Sequence, residues 1–387
     1  MQEQELIDRA TALVPLLEAN AARAEEERKP VDSVMEAVAE SQLYRYFVPR
    51  RYGGLEGSLE GFMRVGMSLG EGCLSTAWVV TFCMEHNWLM GLFNEQAQED
   101  VFGRQPYIVA PGALAPKGRA EPVEGGYRVS GRWEWGTGVM HADWVMVGVL
   151  TPTSDGERQD LCMFLLPRDQ VTVVDTWHTA GMVGTGSNDI QVDDVFVPAH
   201  RLQSLAEMRV GDSPGARLHG TPTYRMPMLP VLGLTAAAPA VGCARRSVTL
   251  FRERLAERTV YGTTSKQGER SAAQIRLAHA QVRVRQAESL LLELAREVAS
   301  WGEDAAPCPE LVRAELRLQI AHVVRQARDV VRDVVEASGA HAHFLANPLQ
   351  RAHRDLHTLS CHTVFDLDLG AENYGRMLLG LEPNAPA

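Results

Sequence analysis

Residues 354–368, RDLHTLSCHTVFDLD, hold two histidines and three aspartates, and His353 stands just before them. Five of the twelve histidines in the 387-residue chain (His341, His343, His353, His357 and His362) fall between 341 and 362. Histidine titrates near neutrality, so such a cluster can ligate a metal, move protons or simply wet a helix face. Read as one helix, the stretch separates these roles. Asp355, His362 and Asp366 lie at offsets of seven and four and share a face. His353 and His357 share another, more than about 100° from His362. The carboxylates are thus placed to orient the His362 ring, which makes His362 the candidate acid–base group and Asp355 its support. His353 and His357 have metal-ligand spacing, but no glutamate follows His353 in the HExxH pattern of a zinc helix. No metal is expected there, and a solvated or intersubunit face is.

The elements that must position these residues fall into three segments. Residues 1–104 read as a helical domain: apolar positions recur at three and four in LIDRATALVPLLEANAA and VDSVMEAVAESQLYRYF, and STAWVVTFCMEHNWLMGLF is apolar nearly all round. Residues 105–215 carry short β-branched and aromatic runs separated by Gly, Pro, Asp and Ser turns, the texture of an antiparallel sandwich or barrel, with Gly125-Gly126 a tight turn. Residues 216–387 read as a bundle of long helices, 228–258, 270–301, 309–338 and 347–379, whose apolar stripes predict subunit association. The fold class is α+β, in the order helices, strands, helices.

Composition narrows the function. A net charge of −11 with no compensating basic run excludes nucleic acid or an anionic membrane as the main partner. Six scattered cysteines without a CxxC pair suit free thiols of a reducing cytoplasm, not a disulfide framework or zinc site. The first thirty residues lack a leader's apolar core, and no run of about eighteen uncharged apolar residues predicts a membrane span.

VPRRYGG (48–54), SGRWEWGTGVMHADW (130–144), WHTAGMVGTGSNDIQVDDVFVP (177–198) and GAHAHFLANPLQRAHRDLHTLSCHTVFDLD (339–368) together resemble the acyl-CoA dehydrogenase fold. The resemblance is closer to its oxygenase branch, the group D two-component flavin-dependent monooxygenases, such as the oxygenase components of 4-hydroxyphenylacetate and secosteroid-phenol hydroxylases. It covers nearly the whole chain. An acyl-CoA dehydrogenase removes an α-proton with a buried glutamate. In that family the glutamate lies shortly after an Arg-Asp pair, where this chain reads SCHTVF, or on the first long C-terminal helix, where VLGLTAAAPAVGCARR (231–246) has no acid. The oxygenase reading gains accordingly.

The resemblance implies FMN or FAD, delivered reduced by a separate reductase, reacting with O2 to a flavin C4a-hydroperoxide that hydroxylates a small aromatic substrate. It implies that His362, seven residues past the Arg-Asp pair, is the catalytic histidine. It places Thr137 where many relatives have a serine near flavin N5, with Gly138 beside it. Trp177, Gly186 and Ser187 match flavin-contacting positions, and Arg258 matches an arginine that reaches the flavin phosphate, often across a subunit interface. His341 and His343, after Gly339, fall in a loop open to flavin or substrate. His86 and Trp88, on the apolar helix, are read as lining the substrate side, since a buried histidine beside an aromatic is an unusual core choice. No GxGxxG follows a strand, so no NAD(P)H site is expected in the chain. The expected assembly is a cytoplasmic homotetramer. Three alternatives stay open: an acyl-CoA dehydrogenase with bound FAD, an N- or S-oxygenase of the same fold, and a non-catalytic binding protein.

Overall fold

The computed structural model describes residues 2–152, 159–304 and 306–384. Five helices come first: α1 (Glu3–Glu27), α2 (Asp32–Glu40), α3 (Leu59–Gly72), α4 (Leu74–Gly91) and α5 (Glu95–Phe102). In α4 every residue but Phe82 is buried, as its unbroken apolarity predicts.

Strands follow: β1 (Gly112–Val123), β2 (Gly126–Trp133), β3 (Trp144–Pro152), β4 (Gln159–Pro167), β5 (Thr172–Val174), β6 (Asp189–Pro198) and β7 (Leu202–Ser204). They form one sheet in the order β5-β6-β2-β1-β3-β4-β7. The Gly125-Gly126 turn closes the β1–β2 hairpin, with Gly125 at a φ of +78° that favours glycine. The pairs are antiparallel except β1 with β3, which run parallel in a sheet expected to be antiparallel throughout. The helical stretch from Val139 to His141, among others, lies between them.

The remaining helices are α6 (Leu205–Arg209), α7 (Pro214–His219), α8 (Met228–Glu257), α9 (Ser271–Glu303), α10 (Glu310–Ser338), α11 (Pro348–Leu359) and α12 (Leu367–Leu378). One stretch of α8 is long and apolar enough to cross a membrane, but 83% of it is buried against the rest of the protein. It packs on α3 at backbone contact. A Cβ on Gly242 would stand 1.9 Å from the Met67 carbonyl oxygen, and one on Gly70 would stand 2.3 Å from that of Pro239. The first and last helical segments therefore share one core, and the sheet keeps a smaller core of its own around Trp133, Phe164 and Ile190.

Where a helix was expected to run unbroken over 347–379, the α-helix ends at Leu359 and a new one starts at Leu367, with a 3₁₀ turn at Thr363–Phe365 between them. Local polar groups account for the break. The Ser360 hydroxyl donates to the His357 carbonyl at 2.8 Å, and the Asp366 carboxylate accepts the Leu369 N–H at 3.0 Å, capping a new helix. His362 adopts an extended conformation between them.

Candidate active site

A cavity of about 700 Å³ opens between the sheet, α4, α8, α10 and the turn that joins α11 to α12. Its sheet wall is built from two loops. After β2, Trp135 and Gly138 take left-handed conformations, with φ of 64° and 84°, which turns Thr137 inward. Before β6, Gly186 does the same at φ 57° and presents Ser187. The Thr137 and Ser187 hydroxyls meet at 3.0 Å, and Thr185 meets Ser187 at 2.8 Å. All three are buried. Asn188 holds the next turn by accepting the Thr176 and Trp177 N–H groups at 3.0 Å each, and the Trp177 indole donates to the Met182 carbonyl at 2.9 Å. Thr137, Trp177 and Ser187 line the cavity, whereas Gly138 and Gly186 shape its loops without lining it.

His362 lines the opposite wall, among Trp78, Phe82 and Phe365 with ring centroids 5.6, 6.4 and 6.1 Å away. Its Nδ1 accepts the Val364 N–H at 3.3 Å, so the neutral ring carries its proton on Nε2. Burial pushes its pKa down to about 4.

The two carboxylates expected to orient this ring are occupied elsewhere, because the helix break removes the shared face. Asp366 caps α12. Asp355, buried beneath the cavity, accepts the Met182 N–H at 2.6 Å and the Ser75 hydroxyl at 3.1 Å. It ties α11 to α4 and to the loop that carries Trp177. Arg354 strengthens this tie by donating to the Ala180 carbonyl at 2.7 Å.

His86 also lines the cavity. Its Nδ1 donates to the Ala110 carbonyl at 2.6 Å, and burial pushes its pKa down to about 4. Trp88 faces away from the cavity, fully buried, with its indole donating to the Thr223 carbonyl at 2.6 Å. Arg258 does not line the cavity; it donates to the Ser338 carbonyl at 3.2 Å. His341 and His343 sit in a 3₁₀ turn off the cavity. The His353 and His357 rings are 6.4 Å apart on α11, and among the described residues no group of three or more metal-ligating side chains converges.

Sequence reasoning passed over six ionisable cavity residues, Glu85, Lys117, Glu134, Arg209, Arg313 and Arg317, of which Lys117 and Glu134 pair with each other at 3.5 Å. Glu85 is buried beside His86, its Oε2 lying 3.6 Å from the imidazole Nε2, and its Oε1 has no hydrogen-bond partner. Burial raises its pKa well above the usual carboxylate range, which favours the protonated form. An acid in an otherwise uncharged apolar helix was the available signal. Arg209, Arg313 and Arg317 were masked by the many arginines of the amphipathic helices.

The donor set fits a flavin. A ring of hydroxyls suits a heteroatom edge, Trp177 offers an aromatic surface, and the cavity has the size of a cofactor plus a small ligand.

Residues 234–367 match the acyl-CoA dehydrogenase C-terminal domain family. The chain is 37% identical to a pigment production hydroxylase of Rhodococcus sp., over 99% of this chain and 98% of that protein. It is 32% identical to the flavin-dependent monooxygenase oxygenase subunit HsaA of Rhodococcus jostii, over 97% and 98%. It is 29% identical to the oxygenase component of an FADH2-dependent resorcinol hydroxylase of Rhizobium sp., over 98% and 95%. The crystal structure of XiaF from Streptomyces sp. with FADH2 and glycerol superposes with a TM-score of 0.92 at 29% identity, covering 100% of this chain and 97% of that one.

The Asp355 tie makes a pH-dependent prediction. Burial pushes the Asp355 pKa up to about 6, above its value of about 3.9 in an unfolded chain. A carboxyl that binds its proton more tightly when folded contributes stability below its unfolded pKa and loses it as pH rises through the folded one. Asp355→Asn keeps an acceptor for Met182 and removes the ionisation. Between about pH 4 and about pH 7 the wild type should therefore lose on the order of 2 kcal/mol relative to this variant. Urea unfolding at several pH values measures it; a difference that does not change with pH would contradict the placement.

Proposed function

The chain belongs to the oxygenase components of two-component flavin-dependent monooxygenases, built on the acyl-CoA dehydrogenase fold, and on that premise we propose that it hydroxylates a small electron-rich aromatic substrate with His362 as the group that serves the reacting oxygen. The observation that carries this reading is the His362 imidazole in an apolar wall, facing a wall of hydroxyls across a cavity of about 700 Å³. Bound reduced flavin supplies the electrons and, with O2, the oxygen atom.

Thr137, Ser187 and Trp177 would hold the flavin ring, and His86 would meet the substrate. The His362 side chain holds its proton on Nε2 and offers it as a hydrogen bond to oxygen that gains negative charge during transfer. A fixed donor in a dry site is worth far more than the same donor in water. Because burial depresses its pKa, His362 stays neutral at pH 7 and acts as donor rather than as a titrating acid. Asp355 then acts at a distance, by fixing the Trp177 loop against α11.

Reducing power arrives as reduced flavin from a separate reductase. Supporting this, the sheet has a single parallel pair, which offers no crossover of the kind that binds NAD(P)H. Unpaired thiols at all six cysteines favour a reducing, cytoplasmic setting. We assign a homotetramer from the exposed apolar residues of the C-terminal segment: Ile275 and Val282 two turns apart on α9, Phe344 and Leu345 between α10 and α11, and Leu379 and Leu381 after α12. A second copy is also what Arg258 would need in order to reach a bound flavin's phosphate. Light scattering should give four times the 42.6 kDa chain mass; a monomer would remove this assignment.

His362→Ala should lower hydroxylated product per reduced flavin oxidised by about 10²-fold, with peroxide released instead and reduced flavin still bound. His362→Asn, which keeps an N–H, should recover part of the yield. In the wild type the yield should be level between about pH 6 and about pH 8, because the imidazole titrates below that window. Full product yield from His362→Ala, or a titration centred near the ordinary histidine value, would remove the assigned role.

A further inference from the structure

Two polar residues stand side by side on the cavity face of α4, which is otherwise made of Trp78, Phe82 and Leu89. They are Glu85 and His86, and both side chains are buried. The Phe82 ring lies next to both histidines of the cavity, with centroids 5.7 Å from His86 and 6.4 Å from His362. A flat ring laid along Phe82 therefore meets His362 at one edge and the Glu85–His86 pair at the other.

The pair presents hydrogen-bond acceptors. His86 Nδ1 donates to the Ala110 carbonyl at 2.6 Å, which leaves Nε2 of the neutral ring as a bare acceptor. Room at that nitrogen depends on Gly112, where a Cβ would stand 2.9 Å from Nε2. Glu85 Oε2 lies 3.6 Å from Nε2, and Oε1 has no hydrogen-bond partner among the described residues. Oε1 accepts in the ionised carboxyl and also when the proton sits on Oε2.

Packing does not explain this glutamate, since its neighbours on the cavity face of α4 are apolar and a leucine would fill similar space. A buried carboxyl oxygen without a partner is costly, and the cost is recovered when a donor comes to it. Burial alone acts on the Glu85 carboxyl, so no arginine or lysine of the cavity serves as that partner. Lys117 is already paired with Glu134 at 3.5 Å, and Arg317 donates to the Thr363 carbonyl at 3.1 Å. Membership of the family leaves this contact open: resorcinol, named for one relative, carries its hydroxyls on carbons that are not neighbours.

We propose that Glu85 determines substrate specificity: its carboxyl receives a second O–H or N–H donor, carried on the ring carbon next to the hydroxyl that His86 receives. The nearer carboxyl oxygen stands 3.6 Å from Nε2, so donors on neighbouring ring carbons reach both acceptors at ordinary hydrogen-bond length. Donors farther round the ring diverge from them. The free carbons on the opposite edge are left to face His362. This rests on the oxygenase reading for the ring and its reaction, and on the Glu85–His86 pair alone for the second donor.

The test compares catechol with phenol, 2-methoxyphenol and resorcinol. Binding is measured by anaerobic calorimetry on the full-length protein, with and without reduced flavin, and product is then measured with reduced flavin and O2. Catechol should bind at least about tenfold more tightly than phenol or 2-methoxyphenol, with resorcinol gaining less than catechol. Glu85→Leu should bring the catechol-to-phenol ratio towards one by weakening catechol more than phenol. Glu85→Gln, which keeps a carbonyl oxygen, should retain most of the ratio. Glu85→Met serves if Glu85→Leu fails to fold, and the wild-type series needs no variant. Equal binding of catechol and phenol by the wild type, resorcinol bound as tightly as catechol, no binding of catechol in either state, or a ratio unchanged by Glu85→Leu would overturn the proposal. Catechol held through Glu85, with neither it nor any other phenol hydroxylated, would leave the donor site standing and sink the oxygenase reading. Hydroxylation of catechol and phenol with equal affinity and equal efficiency would do the reverse.

Discussion

Seven residues, Ser360 to Asp366, interrupt the α-helix and let the His362 ring face this cavity without the two aspartates. On a continuous helix, His362 would carry two aspartates on its own face and would be held as a charged or readily charged ring. The break reassigns both. Asp366 becomes the cap that starts α12, and Asp355 stays behind in α11 as a buried tie to Met182 and Ser75. The imidazole enters an aromatic setting without a carboxylate hydrogen-bonded to it, and burial alone sets its protonation. The wall opposite depends on the same tie, because Met182 is also the residue that holds the Trp177 indole and the Thr185 hydroxyl.

The division of labour suits a chemistry that the cofactor largely performs. Hydroxyls and an indole present a flavin-sized surface on the sheet side, and a neutral N–H faces it from the helical side. Burial shifts His86, His362 and Glu85 in the cavity lining towards their neutral forms. Water and stray ions would otherwise compete for the reacting oxygen. The cavity does hold a buried acid, Glu85, whose pKa burial raises well above the usual carboxylate range.

Much of the fold was legible because long periodic helices and short alternating strands leave clear patterns, and the three helices 228–258, 270–301 and 309–338 match α8, α9 and α10 to within about two residues. Thr137, Ser187 and Trp177 were legible through the family resemblance, and Gly138 and Gly186, beside Thr137 and Ser187, take left-handed conformations. Side-chain destinations were not. Periodicity alone cannot show that Ser360 and Asp366 would capture backbone groups and end a helix, and so Asp355 was given the wrong neighbour. Trp88 shares with His86 a helix buried at every position but Phe82, and sequence spacing gives no sign of which face meets the cavity. Arg209 comes from a five-residue helix far from α10 in the chain, so its meeting with Arg313 is purely tertiary. The parallel β1–β3 pair is likewise a matter of sheet order, which local pattern does not encode.

The claim on which the account turns is that His362 is neutral at physiological pH, with its one proton on Nε2. Nitrogen-15 NMR of histidine-labelled protein, assigned against His362→Asn and titrated from about pH 8 to about pH 4, reads both properties directly. The account predicts an Nε2-protonated neutral ring that gains its second proton only near the bottom of that range. A ring protonated on Nδ1, or one already charged near pH 7, would contradict it.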